Sequence, residues 1–75
     1  MAKPKVAVVT GGARGIGKAI CDAFIERGVS VCIIDREDNG YFVGDMADET
    51  VLRNFASKVI SDYGTIDYLI NNACL

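Results

Sequence analysis

The chain has no histidine, which removes the commonest general base near neutral pH and the commonest metal ligand. No structural or catalytic zinc site is expected, and no residue is assigned to a metal. Cysteine is scarce. Cys21, Cys32 and Cys74 are odd in number, lack Cys-x-x-Cys spacing and lie in or beside apolar runs. They read as reduced thiols of a cytoplasmic protein. No apolar run approaches the ~20 residues a membrane span needs, and the N-terminus lacks the apolar stretch of a signal peptide. Neither a membrane nor an export route is expected. The basic residues are scattered, the net charge is −2 and the pI is 4.8. That balance argues against a nucleic-acid partner or an acidic membrane surface.

What remains is an ordinary globular composition, 51% hydrophobic and 24% charged, in 75 residues. A chain this short buries only about 60% of the surface its unfolded form exposes, so it amounts to one small domain at most. No repeat, low-complexity tract or linker interrupts it. Its hydrophobic period switches instead. Val6–Val9 is a continuous β-branched run, as in a strand covered on both faces. Ile16, Ala19, Ile20, Ala23 and Phe24 then follow a helical stripe, and Gly28 is placed to stop that helix in the left-handed conformation.

Val31–Ile34 is a second buried-strand run, followed by the charged Asp35-Arg36-Glu37-Asp38. Tyr41–Val43 is a shorter third candidate. Asp48 is placed to cap a helix in which Val51, Leu52, Phe55, Ala56, Val59 and Ile60 recur in pairs. Gly64 ends that helix, and Tyr68–Ile70 is a fourth strand. Strands alternating with helices indicate a parallel sheet with helices on its faces.

The second connection is hard to place. Parallel crossovers normally take a dozen or more residues, yet only Arg36–Gly40 separates Asp35 from Tyr41. That stretch spans roughly 17 Å when fully extended, against roughly 13–17 Å for a strand of four or five residues. The rival is an antiparallel hairpin, since Asn39-Gly40 between apolar segments is a strong hairpin signal. The flanking pattern favours the parallel return.

Thr10-Gly11-Gly12-Ala13-Arg14-Gly15-Ile16-Gly17 joins the first strand to the first helix. Glycines let the backbone turn sharply and let an anion approach without Cβ atoms in the way. The helix start then aims unsatisfied N–H groups and a partial positive charge at that anion. Gly17 can also let helix and strand pack closely. The spacing is G-x-x-x-G-x-G, not the usual G-x-G-x-x-G fingerprint, and a glycine turn alone is often only a tight turn. Asp35 adds a second element. It ends the second strand at about the distance where a carboxylate accepts hydrogen bonds from a ribose diol; by itself it could equally be a solvated strand-end acid.

Thr10–Gly17 resembles the T-G-x-x-x-G-[IL]-G cofactor motif of the short-chain dehydrogenase/reductase family. Asn71-Asn72-Ala73 resembles the first three residues of that family's N-N-A-G motif, and Asp45 resembles its aspartate beside the adenine ring. The resemblance runs from Lys5 to the C-terminus but reaches only the front of the family's usual length. It implies a truncated Rossmann-like α/β unit over residues 1–75, with about four parallel strands in the order 3-2-1-4 and flanking helices. The family's crevice would then lie between the first and fourth strands. Tyr68-Leu69-Ile70 would form an exposed edge open to self-association.

The resemblance also implies site roles. Gly11, Gly15 and Gly17 shape the pyrophosphate turn, with Ile16 at the helix start, and Asp35 holds the adenosine ribose. Asp45 and the Met46 backbone contact adenine. Asn71 and Ala73 line the path toward the nicotinamide ribose, and Thr10 braces the turn against Asn-Asn-Ala. The blander readings are a turn acid for Asp45 and a strand-end turn for the asparagines. Asp35 would repel the 2′-phosphate of NADP while bonding the free hydroxyl of NAD. Arg14 and Arg36 could offset this or could be solvated surface charges. NAD is the expected cofactor, with NADP the alternative.

Two departures stand out. Cys74 replaces the last glycine of N-N-A-G, and the short second crossover lacks the family's helix. The family's acid/base tyrosine, with a lysine four residues on, is not found here: Tyr41, Tyr63 and Tyr68 are followed at that spacing by Asp45, Asp67 and Asn72. The tyrosine, its lysine and the family's serine are expected beyond Leu75, so no catalytic residue is assigned. The expectation is the N-terminal part of an NAD(P)-dependent oxidoreductase, inactive alone. The alternative is a non-catalytic dinucleotide-binding or regulatory module.

Overall fold

The computed structural model describes residues 4–73, which leaves Cys74 outside the described residues. The chain runs β1 (Val6–Thr10), α1 (Gly15–Glu26), β2 (Ser30–Asp35), β3 (Phe42–Val43), α2 (Glu49–Tyr63) and β4 (Tyr68–Asn71). The strands form one sheet in the order β3-β2-β1-β4, and every pairing is parallel. This is the parallel sheet that the alternating pattern implied, in the Rossmann-like 3-2-1-4 order that the family resemblance implied. All five residues of β1 are buried, because the strand is central and helices cover both its faces.

The two faces are filled differently. Val6 and Val8 of β1 and Cys32 and Ile34 of β2 form one core cluster with Phe55 and Val59 of α2. Tyr41, Phe42, Met46 and Val51 pack around it, and Phe42 and Tyr41 meet the Phe55 ring edge-on at 5.5 and 6.1 Å. On the opposite face α1 approaches through one turn of its surface. Gly17 and Cys21 are the buried positions of that helix, while Ile16 of the apolar stripe is 76% exposed. The stripe correctly marks a helix, but close approach at Gly17 turns most of the larger side chains away from the sheet. Ile20 and Phe24 stay half-buried, and the Phe24 ring lies tilted against Tyr68 of β4 at 5.4 Å.

Helix ends follow the local chemistry. Gly28 (φ 78°) lies just past the cap residue Arg27. Its N–H donates to the Ile25 carbonyl, and the Val29 N–H donates to Phe24, a Schellman closure. Asp48 caps α2 by accepting from the Thr50 and Val51 amides at 2.8 and 3.3 Å, and Gly64 (φ 81°) closes it.

The return from β2 to β3 is parallel and contains no helix. Asn39 explains why its hairpin signal is not used. Its Oδ1 accepts from the Tyr41 and Phe42 amides (2.8 and 3.0 Å), and its Nδ2 donates to the Glu37 and Phe42 carbonyls (3.1 and 2.8 Å). One amide side chain thus satisfies the bend locally, and the chain re-enters alongside β2. The third strand is shorter than the sequence suggests, with Tyr41 outside it.

Candidate functional site

The C-terminal ends of β1, β2 and β4 open on one side of the sheet, and the glycine turn sits above them. Gly11 and Gly15 both have positive φ, 69° and 63°, so a side chain at either would be strained. Gly17 is needed for another reason. A Cβ there would run into the Gly11 carbonyl and lie 2.5 Å from Asn72 Nδ2. A Cβ at Gly15 would meet nothing within 4 Å, so the space in front of the helix start is open. Arg14 precedes α1 with no side-chain cap, and the first turn carries no acidic residue. The helix's first N–H groups therefore face that space without a capping side chain or an acid from the helix's own first turn.

Three strands hold the turn. The Gly11 N–H donates to Ile34 O of β2 (2.9 Å), and the Ala13 N–H donates to Asp35 Oδ2 (3.1 Å). Just past β4, Asn72 Nδ2 donates to the Gly11 carbonyl (3.0 Å). Thr10 Oγ1 donates to Asn71 Oδ1 (3.2 Å) and accepts from the Ala73 N–H (3.0 Å). Thr10 thus ties the end of β1 to the Asn-Asn-Ala segment. Asn72 is the residue whose own contribution sequence reasoning missed; its place inside the Asn-Asn-Ala motif was the available signal.

A cleft of about 480 Å³ is lined by Gly11, Arg14, Gly15, Asp35, Met46, Asn72 and Ala73. A second hollow of about 210 Å³, lined by Thr10, Met46, Leu52, Asn71 and Ala73, shares Met46 and Ala73 with it. Eight of the residues singled out in the sequence therefore line the two: Thr10, Gly11, Arg14, Gly15, Asp35, Met46, Asn71 and Ala73. Gly17 is buried beneath the turn. Ile16, Arg36 and Asp45 are not among the lining side chains. Ile16 points to solvent, and Arg36 Nη2 pairs with Asp45 Oδ1 at 3.0 Å.

Electrostatics keep the acids ionised. The Glu37 amide on Asp35 Oδ1 (3.0 Å) is the main cause holding the Asp35 carboxyl below the ordinary carboxylate range. The Ala13 and Arg36 amides and the Arg14 charge add to it. Asp45 is also held low, first by the Ala47 amide and then by Arg36. Arg14 is itself paired, its Nε 3.4 Å from Glu37 Oε2. Glu37 is a second residue the sequence reading passed over.

Residues 5–75 match the short chain dehydrogenase family model. The chain belongs to the short-chain dehydrogenase family. An oxidoreductase of Thermotoga maritima is 38% identical over 91 residues, covering all of this chain and 36% of the relative. Among solved structures, an apo SCOR enzyme from Clostridium thermocellum superposes with a TM-score of 0.87 at 38% identity over 99% of this chain and 35% of that one. A 3-oxoacyl-[acyl-carrier protein] reductase from Brucella melitensis, solved in complex with NAD, superposes with a TM-score of 0.90 at 31% identity. It covers all of this chain and 35% of the reductase. This short-chain dehydrogenase chain thus spans about a third of the length of the relatives it matches. The Thermotoga alignment extends over 91 residues against the 75 here, so the relative carries residues with no counterpart in this chain.

Proposed function

We propose that the cleft binds the ADP-ribose half of NAD, and that residues 1–75 are the N-terminal, partial dinucleotide-binding unit of an NAD(P)-dependent oxidoreductase. One observation carries this reading. The glycine turn, the uncapped start of α1 and the Asp35 carboxylate meet in a single cleft, knit together by the Ala13 N–H bond to Asp35. The open space in front of Gly15 fits an anion, and the glycines leave the approach clear. Gly11, Gly15, Gly17 and the Ile16 amide would hold the diphosphate. Asp35, whose oxygens keep lone pairs beyond their amide bonds, would accept from the ribose hydroxyls. Asp45 and the Met46 backbone would bound the adenine. Asn71 and Ala73 would line the way to the nicotinamide ribose. Bound NAD supplies hydride acceptance at its nicotinamide ring; this chain's residues bind and orient. The relative solved with NAD supports the same cofactor class, and NADP is the alternative.

A binding-only role for the chain as it stands rests on a specific observation. Arg14 and Asp35 are the only charged side chains among the described residues lining the cleft. Tyr41 is no substitute for a catalytic acid. Its hydroxyl donates to Asp62 (2.8 Å), with Lys58 over its ring, and burial, then Asp62, pushes its pKa above the ordinary value. The acid/base group would come from the tyrosine, lysine and serine that the family supplies in a longer chain. The buried free thiols Cys21 and Cys32 agree with a cytoplasmic setting. Leu69, 69% exposed on the outer strand β4, is the proposed point of self-association.

Calorimetric titration of the chain with NAD and with ADP-ribose tests the reading. Saturable heat with both, lost in Asp35→Ala, is the expected result. No heat at millimolar nucleotide would overturn it.

A further inference from the structure

The fold uses only part of the apolar stripe on α1. Gly17 and Cys21 meet the sheet, while Ile16 stands 76% exposed and Ala19 and Ala23 are exposed as well. A hollow of about 240 Å³ lies along the helix, lined by Ile20, Ala23, Phe24 and Arg27. These positions stand at i, i+3, i+4 and i+7, neighbours on one helix face, and four such residues form the hole that receives a side chain of a facing helix. Phe24, one wall of the hollow, leans on Tyr68, so the hollow faces the side of α1 nearer the edge strand β4. Ile16 lies one turn before Ile20 on the same ridge. One helix thus carries both a knob and a hole.

We propose that α1 is a self-recognition surface on which a second copy of this chain docks antiparallel, the Ile16 of each copy entering the hollow of the other. Reciprocity selects this occupant. A two-fold contact presents the same patch on both partners, and only antiparallel helices let both knobs fill both holes. A parallel pair would seat one Ile16 and carry the other back past the start of α1. Charge agrees. The helix has no acid in its first turn and no base in its last, where Glu26 stands, so its own side chains complement the dipole at neither end. The antiparallel register brings Glu26 beside the start of the second copy's α1, where Arg14 is the cap residue, and it does so twice in each dimer. Ala19 and Ala23, small and exposed, allow close approach of the two axes. A contact of one helix on each side is small, so the association is of the weak, transient class. It is separate from the outer edge of β4 at Leu69, where association would pair backbone groups.

The test is sedimentation equilibrium of the chain over a concentration series reaching the millimolar range, with amide chemical shifts of the labelled chain recorded over the same series. The apparent mass should rise from 8.0 kDa toward twice that value and no further, and the shifts should move most along Ile16–Arg27. Ala23→Glu places a carboxylate in each hollow and Ile16→Ser removes each knob; either should weaken the association at least about tenfold. Glu26→Arg should weaken it by about two- to fivefold at low salt. All three side chains are exposed in the single chain, so melts in dilute solution should stay close to the wild-type value, which separates docking from folding. Leu69→Lys should leave the association intact. A dimer that survives both Ala23→Glu and Ile16→Ser, or one lost in Leu69→Lys with shifts confined to Tyr68–Asn71, would overturn the proposal. A chain that stays monomeric throughout would overturn it too and assign the hollow to another occupant.

Discussion

The glycine turn and the β2–β3 return border the same cleft but are held in opposite ways. The turn is fixed from far along the chain: Thr10 to Asn71, Asn72 to Gly11 and Ala73 to Thr10 are bonds between residues 61 to 63 positions apart. The return is fixed from within. Asp35 to Glu37, Asn39 to Tyr41 and Phe42, Asp38 to Gly40 and Arg36 to Asp45 span between two and nine positions. The phosphate side of the site therefore needs β4 in place before it is shaped, whereas the ribose side carries most of its own geometry. Losing β4 should cost the first and spare much of the second.

The largest effect should come from Gly17→Val. Its branched side chain meets the Gly11 carbonyl and Asn72 amide where no room exists, and overpacking of this kind costs typically 1–3 kcal/mol or more. Urea unfolding should show that loss or no folded state. Asn72→Ala strikes the same side more gently. Without the Asn72 donor the Gly11 carbonyl is left short of a partner, and about 1–2 kcal/mol of stability should disappear together with ADP-ribose affinity. Asp48→Ala removes the α2 cap on the rim side and should cost about 1 kcal/mol, with a smaller fall in affinity than Asn72→Ala. A rim substitution that proves as damaging as Gly17→Val would break the contrast between the two sides.

Acid sharpens the same contrast. Asp35, Asp45 and Asp62 are all held below the ordinary carboxylate value in the folded chain. Their contribution is complete above the unfolded value, about 3.9, because both states are then ionised. It is lost as pH falls through the lower folded values, where the unfolded state takes up protons first. Thermal melts between pH 7 and pH 3 should show stability steady near neutrality and declining below about pH 4–5. Asp35→Asn should flatten part of that decline.

Much of this was legible in the sequence where one residue type serves one local need. Gly28 and Gly64 end helices, Asp48 begins one, and the run Val6–Val9 lies buried on both faces. The parallel sheet followed from alternation of strands and helices, and its strand order from the family resemblance that the motifs carry. The direction of β3 was legible only in part, because Asn39-Gly40 serves either a hairpin or a self-bonded bend and only the surrounding sheet decides. The way α1 sits was legible only in part, because Gly17 marked a close approach while the apolar stripe marked a different face. Periodicity marks Ile16 and Ile20, but the helix is drawn in at Gly17 and Cys21, since packing distance is set by the smallest side chain at the crossing. The pairs Arg14–Glu37 and Arg36–Asp45 were likewise hidden. Long side chains choose partners by three-dimensional reach, which spacing does not encode.

The central claim is that an anion's place is built where the turn meets the start of α1. Amide chemical shifts of the labelled chain, followed during titration with ADP-ribose, test it most directly. The account predicts saturable shifts centred on Gly11, Gly15, Ile16 and Gly17 and extending to Asp35, with little change at the far end of α1 around Phe24–Arg27. Shifts confined to other parts of the sheet, or no shifts at saturating nucleotide, would contradict it.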